Sequence, residues 1–246
     1  MRYLVAAAML MALAPAAAHA KPDGKAIAAA VADAARPSED VAADANRKPA
    51  AMLEFAEVKP GQKVADLLPG RGYFSRLFAK TVGDKGKVFP VTPPGRDGAP
   101  PAIKSVAAGY PNMTVVDVTM ATIAQLKLPE PVDLVWTSQN YHDLHAARNN
   151  VDVAAFNKAV FAALKPGGLF VVLDHVAPGG TALDPDDKLH RIDPAIVKAE
   201  VTAAGFVYDG ESTVLRNPDD KHDLTVFDPA IRGRTDQFVY KFRKPK

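Results

Sequence analysis

The chain contains no cysteine. Disulfides, thiolate metal sites and Cys nucleophiles are therefore excluded. A dominant charge is lacking as well. The 30 Lys and Arg residues stand against 28 Asp and Glu, for a net charge of +2. That balance leaves no electrostatic footprint for nucleic acid or a membrane surface. No internal repeat is present. The one marked apolar run, Tyr3 to Leu13, is too short for a comfortable transmembrane span. What remains is globular composition, with 48% hydrophobic and 24% charged residues in a chain of 246. This length suits one α/β domain of ordinary size or two very small ones. Pro is abundant at 21, which predicts many stiff connections.

Arg2, the apolar run and Ala18-His19-Ala20 together read as a secretory signal peptide cleaved after Ala20. The expectation is a periplasmic or secreted protein with no stable membrane insertion once residues 1–20 are removed. Residues 21–49 read as an Ala-rich, loosely docked helical arm. Within it Ser38, followed by Glu39 and Asp40, looks like a helix N-cap. Lys48-Pro49 then opens a further helix carrying Met52, Leu53 and Phe55.

From residue 50 onward the pattern alternates strand and helix. Strands are predicted at 64–68, 87–91, 113–118, 132–137 and 169–173, and late ones near 206–208 and 238–242. Helices are predicted at 73–82, 102–108, 153–164 and 195–204. Lys165-Pro166-Gly167-Gly168 is expected to close the third of these. The run Leu169 to Leu173 is apolar throughout, as a strand covered on both faces must be. This spacing predicts one α/β domain over residues 50–246. Its fold class is a Rossmann-like, doubly wound, seven-stranded sheet, mostly parallel, with one antiparallel strand near the C-terminus.

The segment Asp66-Leu67-Leu68-Pro69-Gly70-Arg71-Gly72 carries an acid at the end of a strand into a glycine turn and a helix start. Such a turn lets a ligand approach the backbone and offers it free N–H groups. Two further segments keep the same order along the chain: Asp133-Leu134-Val135-Trp136-Thr137-Ser138 and Leu164-Lys165-Pro166-Gly167-Gly168. On these segments the chain resembles the class I S-adenosylmethionine-dependent methyltransferases, and more closely a bacterial group of exported-looking methyltransferases. The resemblance implies S-adenosyl-L-methionine as cofactor. Asp66, Gly70 and Gly72 would line its methionine end, with Asp66 acting on the ammonium group. The acid that holds the ribose hydroxyls in the family falls on Thr92, which offers one weaker hydrogen bond. Asp117 lies near the adenine-contacting position. The first glycine of the family's GxGxG is Leu68 here, a residue comfortable there only with negative φ.

Four histidines fall beyond the carboxyl ends of strands, where open α/β sheets bind ligands. Asn140, Tyr141 and His142 follow the fourth strand, and Asp174 and His175 end the fifth. His142 and His175 are the candidate proton acceptors for methyl transfer, with Asp174 or Asp143 orienting one of them. Asp143 and His145 could equally serve only to cap a helix start. His142-x-x-His145, completed by His175 or His190, offers a metal-binding alternative, although no ligand set is assigned. The connection of about thirty residues before the last strand reads as a lid or substrate wall. The leading expectation is therefore a methyltransferase acting on a small molecule. A non-enzymatic ligand-binding protein on the same fold and a His-cluster metal enzyme are the alternatives.

Overall fold

The computed structural model describes residues 23–95 and 98–246. The expected signal peptide and its cleavage point lie outside the described residues. No helix among the described residues is long and apolar enough to cross a membrane.

Helix α1 (Gly24–Val31) starts at Asp23, whose Oδ1 accepts from the backbone N–H groups of Lys25 and Ala26. It is not loosely docked. Ile27 and Ala30 are buried in the main core against α4 (Tyr73–Val82). Helix α2 (Ser38–Arg47) follows, with Glu39 and Asp40 in its first turn beside the positive helix end. Ser38 lies inside the helix and gives no capping hydrogen bond, because Pro37 occupies the cap position. Lys48 turns left-handed (φ 47°) and sets α3 (Pro49–Phe55) at an angle to α2.

The alternating part comprises β1 (Lys63–Leu67), α4, β2 (Lys87–Thr92), α5 (Ala102–Ala107), β3 (Val116–Asp117), β4 (Val132–Ser138), α6 (Val153–Ala163), β5 (Leu164–His175), α7 (Pro194–Ala203), β6 (Val207–Ser212) and β7 (Gln237–Arg243). The sheet order is β3-β2-β1-β4-β5-β7-β6, and only β7 runs antiparallel to its neighbours. The expected third strand shrinks to two paired residues plus one isolated bridge between Val88 and Met113, as an edge position allows.

Lys165 to Gly168 do not close a helix but bulge out of β5. Leu164 pairs with Val132 and Leu169 with Leu134, so four residues face the single residue Asp133. Gly167 is left-handed (φ 79°), and Asp133 Oδ1 accepts from Lys165 Nζ at 2.7 Å across the bulge.

Beyond the bulge, side chains of β4 and β5 alternate between two cores. Leu134, Trp136, Leu169, Val171 and Leu173 face α1, α3 and α4, and Val135, Phe170 and Val172 face α6 and α7. Each large side chain buried in this way contributes about 1.5–3 kcal/mol. Those two cores hold the strand ends, and hence the site, in fixed register.

Candidate active site at the carboxyl ends of the strands

A cavity of about 680 Å3 opens beyond the carboxyl ends of β1 and β4. That size lies within the range of about 300–1,000 Å3 usual for small-molecule sites. Asp66, Leu68, Gly70, Ser138, Gln139 and Asn140 come to it from the strand ends, Arg47 from α2 and Arg232 from the loop before β7. A second cavity of about 420 Å3 shares Leu68, Gly70 and Asn140 with it and continues past Thr92, Pro93 and Met120 to Asp143 and Arg148. Together they form a continuous trough across the end of the sheet.

Asp66 is buried at the end of β1 and accepts from Ser75 Oγ at 2.5 Å. Burial pushes its carboxyl up to about 7, against the opposing pull of the Ser75 hydrogen bond and the Arg47 charge. The half-buried Arg47 guanidinium sits 4.7 Å over the Tyr73 ring. Among the described residues its one side-chain hydrogen bond is a 3.5 Å contact to Gln139 Oε1. The buried Ser138 hydroxyl has no partner among the described residues. Asp66, the Arg47 guanidinium with donors to offer and the orphaned Ser138 hydroxyl thus lie together at one end of the trough.

The two glycines of the turn differ in role. Gly70 (φ 57°) faces open space in both cavities. Gly72 (φ 81°) faces α5, where an added Cβ would lie 2.7 Å from Ile103 Cδ1. Gly72 is thus a packing glycine, not a lining residue. Leu68, expected to need negative φ, adopts +52°. A left-handed leucine costs about 1–2 kcal/mol. The hydrogen bonds from Leu68 N–H to Val91 O and from Asn140 Nδ2 to Leu68 O hold it there.

Thr92 Oγ donates to Pro93 O, and the residue borders the second cavity. Asp117 lies apart from both cavities. It is exposed on the edge strand and pairs with Lys104 Nζ at 2.9 Å. Asn140 lines both cavities, but its Nδ2 is committed to the carbonyls of Leu68 and Ser138. Tyr141 turns away from the trough into the core. Its hydroxyl donates to Glu200 and accepts from Asn157, while burial, with the Glu200 charge beside it, raises its pKa well above the ordinary tyrosine value.

His142 and Asp174 form a buried pair behind the trough wall. Asp174 accepts from His142 Nδ1 at 2.8 Å and from the His142 and His175 backbone N–H groups. Burial alone would lower the His142 pKa, but the adjoining carboxylate outweighs it and raises the value to about 9. His175 Nδ1 lies 2.7 Å from Thr235 Oγ1. Burial takes its pKa down to about 4 despite Asp174. Neither His lines the trough.

The expected pairing of His142 with His145 is not assembled. His145 Nε2 reaches Glu200 on α7, whereas His190, 5.4 Å away ring to ring, is the imidazole beside His142. The thirty-residue connection is tied down over the strand ends. Arg191 pairs with Asp220, both with side chains 1% exposed, and Arg216 pairs with Asp236. Arg47, Ser138, Gln139 and Arg232 are not among the candidate site residues of the sequence, although Arg232 belongs to the connection expected to form a lid or substrate wall. Ser138 and Gln139 had a usable signal, their place at the carboxyl end of a parallel strand.

No protein-family model matches the chain, and no curated protein matches it. Solved structures do. A S-adenosylmethionine-dependent methyltransferase from Aquifex aeolicus aligns over 91% of this chain and 99% of its own, with 17% identity and TM-score 0.57. A putative sarcosine dimethylglycine methyltransferase from Galdieria sulphuraria aligns over 84% and 88%, with 15% identity and TM-score 0.59. The 1,6-didemethyltoxoflavin-N1-methyltransferase of Burkholderia thailandensis, solved with bound 1,6-didemethyltoxoflavin and S-adenosylhomocysteine, aligns over 91% and 80%, with 16% identity and TM-score 0.53. At these identities the likeness establishes the fold alone. It is the α/β, seven-stranded, mostly parallel sheet on which these methyltransferases are built.

Proposed function

We propose that this chain is an S-adenosylmethionine-dependent methyltransferase acting on a small molecule. The observation that carries the reading is the pair of opposite charges at the head of the trough. Asp66 meets the ammonium group of the cofactor's methionine end, Arg47 meets its carboxylate, and the Ser138 hydroxyl supplies a further polar contact. Gly70 leaves room for the chain to pass. The ribose and base then follow the trough past Thr92 and Met120. When bound, the cofactor supplies an electrophilic methyl group. The chain's residues on the far side, Asn140, Asp143, Arg148 and Asn149, face the acceptor.

A second reading is favoured by one observation. Both candidate bases, His142 and His175, are buried behind the trough and do not line it. A binding protein that never turns over would need neither. Calorimetry with S-adenosylmethionine and with S-adenosylhomocysteine tests binding, and transfer of a labelled methyl group to a small-molecule library tests turnover. The methyltransferase reading requires micromolar binding that Arg47→Ala weakens at least tenfold, followed by transfer. Binding without transfer to any acceptor supports the second reading. Absence of binding removes both.

A further inference from the structure

Behind the acceptor end of the trough stands a cluster of which only Asp143 borders the trough. Donor atoms of His142, Asp143, Asp187 and His190 all lie within 4.8 Å of one another. Two come from the turn after β4 and two from the loop between β5 and α7. His142 Nδ1 is held by Asp174, which leaves Nε2 directed at the cluster, 3.9 Å from Asp143 Oδ2. An imidazole whose other nitrogen is fixed by a buried carboxylate is the arrangement found around protein-bound metal ions. Asp187 is buried, and His190 Nδ1 lies 3.0 Å from its Oδ2.

We propose that His142 Nε2, Asp143, Asp187 and His190 form a binding site for one first-row transition-metal dication, of which zinc is the reference case. Two imidazoles and two carboxylates are a borderline donor set. They suit Zn, Co, Mn or Fe better than Mg or Ca, which take oxygen donors. A tetrahedral zinc ion with ligands at about 2.0–2.2 Å separates its donors by about 3.4 Å. Inward shifts of less than about 1 Å per side chain close the present cluster to that size.

Charge supports the same assignment. Ligation through Nε2 requires His142 to give up the extra proton it holds below about pH 9. With both imidazoles neutral, Asp143, Asp174 and Asp187 carry three negative charges in or against the cluster. Among the described residues Arg148 is the one guanidinium bonded to them, through Asp143 Oδ1 and Asp187 Oδ2. Two negative charges remain, the number a dication balances. The Arg148 side chain is 50% exposed, so it can swing into solvent and free Asp187 Oδ2, the oxygen it shares with His190, as an ion enters. None of the site's four donors lines the larger cavity and Asp143 alone borders the second, so metal binding can be tested without the cofactor.

The test uses the full-length, tag-free chain, stripped with chelator and titrated separately with Zn(II), Co(II) and Mn(II). One equivalent of at least one ion is expected to bind, with Co(II) giving a visible ligand-field spectrum. His190→Ala and Asp187→Asn should each weaken binding at least about a hundredfold, and Asp174→Asn about ten- to a hundredfold through loss of ring orientation. His145→Ala should bind as wild type. Circular dichroism identifies any variant that fails to fold, and the two ligand variants come from separate residues so that one can stand if the other falls. The proposal is overturned if the folded wild type binds none of the three ions. It is equally overturned if folded ligand variants bind normally, or if His145→Ala is the variant that loses the ion.

Discussion

His142 Nδ1 lies 2.8 Å from Asp174 Oδ1, and neither side chain is more than 5% exposed. The pair joins the turn after β4 to the end of β5. In the chelated protein the His142 pKa of about 9 lies above its ordinary value of 6.5. A raised folded-state pKa means stability that is fully present below about pH 6.5 and is lost as pH rises through about 9. The loss should be on the order of 1–3 kcal/mol. Urea unfolding at pH 6.5, 7.5, 8.5 and 9.5 should show this decline, and His142→Gln should remove it. An identical alkaline decline in the variant would mean that another group is responsible.

Asp66 gives a prediction of opposite character. Its folded pKa of about 7 is raised above the ordinary carboxylate value of 3.8 by burial. Its ionisation therefore opposes folding progressively between about pH 4 and 7. A cationic ammonium group binds the ionised form, whose fraction grows about tenfold from pH 6 to pH 8. The affinity for S-adenosylmethionine should tighten by up to about tenfold over that interval. Asp66→Asn should bind more weakly and lose the part of the pH dependence that belongs to the protein. Calorimetry on both proteins decides it, and parallel pH profiles would rule Asp66 out as the ammonium partner.

The two turn glycines should separate stability from binding. Gly72→Ala strains a positive φ and overlaps Ile103, for a stability loss of about 2 kcal/mol or more. The double variant with Ile103→Ala should lose less than the two single losses added together. Gly70→Ala meets no atom and should cost only about 1 kcal/mol of strain, while weakening S-adenosylmethionine binding. Denaturant midpoints and calorimetry read the two effects. Equal stability of Gly72→Ala and wild type would contradict the packing role.

Much of the fold was legible because its signals are local. Leu169 to Leu173 is apolar on both faces, as a buried parallel strand requires, Val64 to Leu67 and Val132 to Thr137 are apolar but for Asp66, Asp133 and Thr137, and each run lies in a strand of the sheet. Helices α4 and α7 matched for similar reasons, since each ends at or next to a glycine, Gly83 or Gly205. The bulge at Lys165 to Gly168 was read as a helix stop because Pro-Gly-Gly marks both, and only pairing with Val132 and Leu134 tells them apart. The docking of α1 was missed because Ile27 and Ala30 form too small an apolar face to stand out in an Ala-rich segment.

For the site, the sequence by itself determined which residues stand at strand ends: Asp66, Gly70, Thr92, Asn140, His142, Asp174 and His175. A strand's length and direction settle that before any packing forms. Which way each side chain turns was decided only in the tertiary structure. Tyr141 and His142 are neighbours in sequence, yet one hydroxyl reaches Glu200 and Asn157 and the other ring reaches Asp174. Gly70 and Gly72 look alike in the motif, yet α5 packs against only one of them. Arg47 and Arg232 reach the trough from segments far apart in sequence, and His190 rather than His145 stands beside His142. The strand pattern carries the architecture because it depends on period and burial alone. The site depends on long-range contacts, in which partners tens of residues away fix the rotamer, the charge and the exposure of each group.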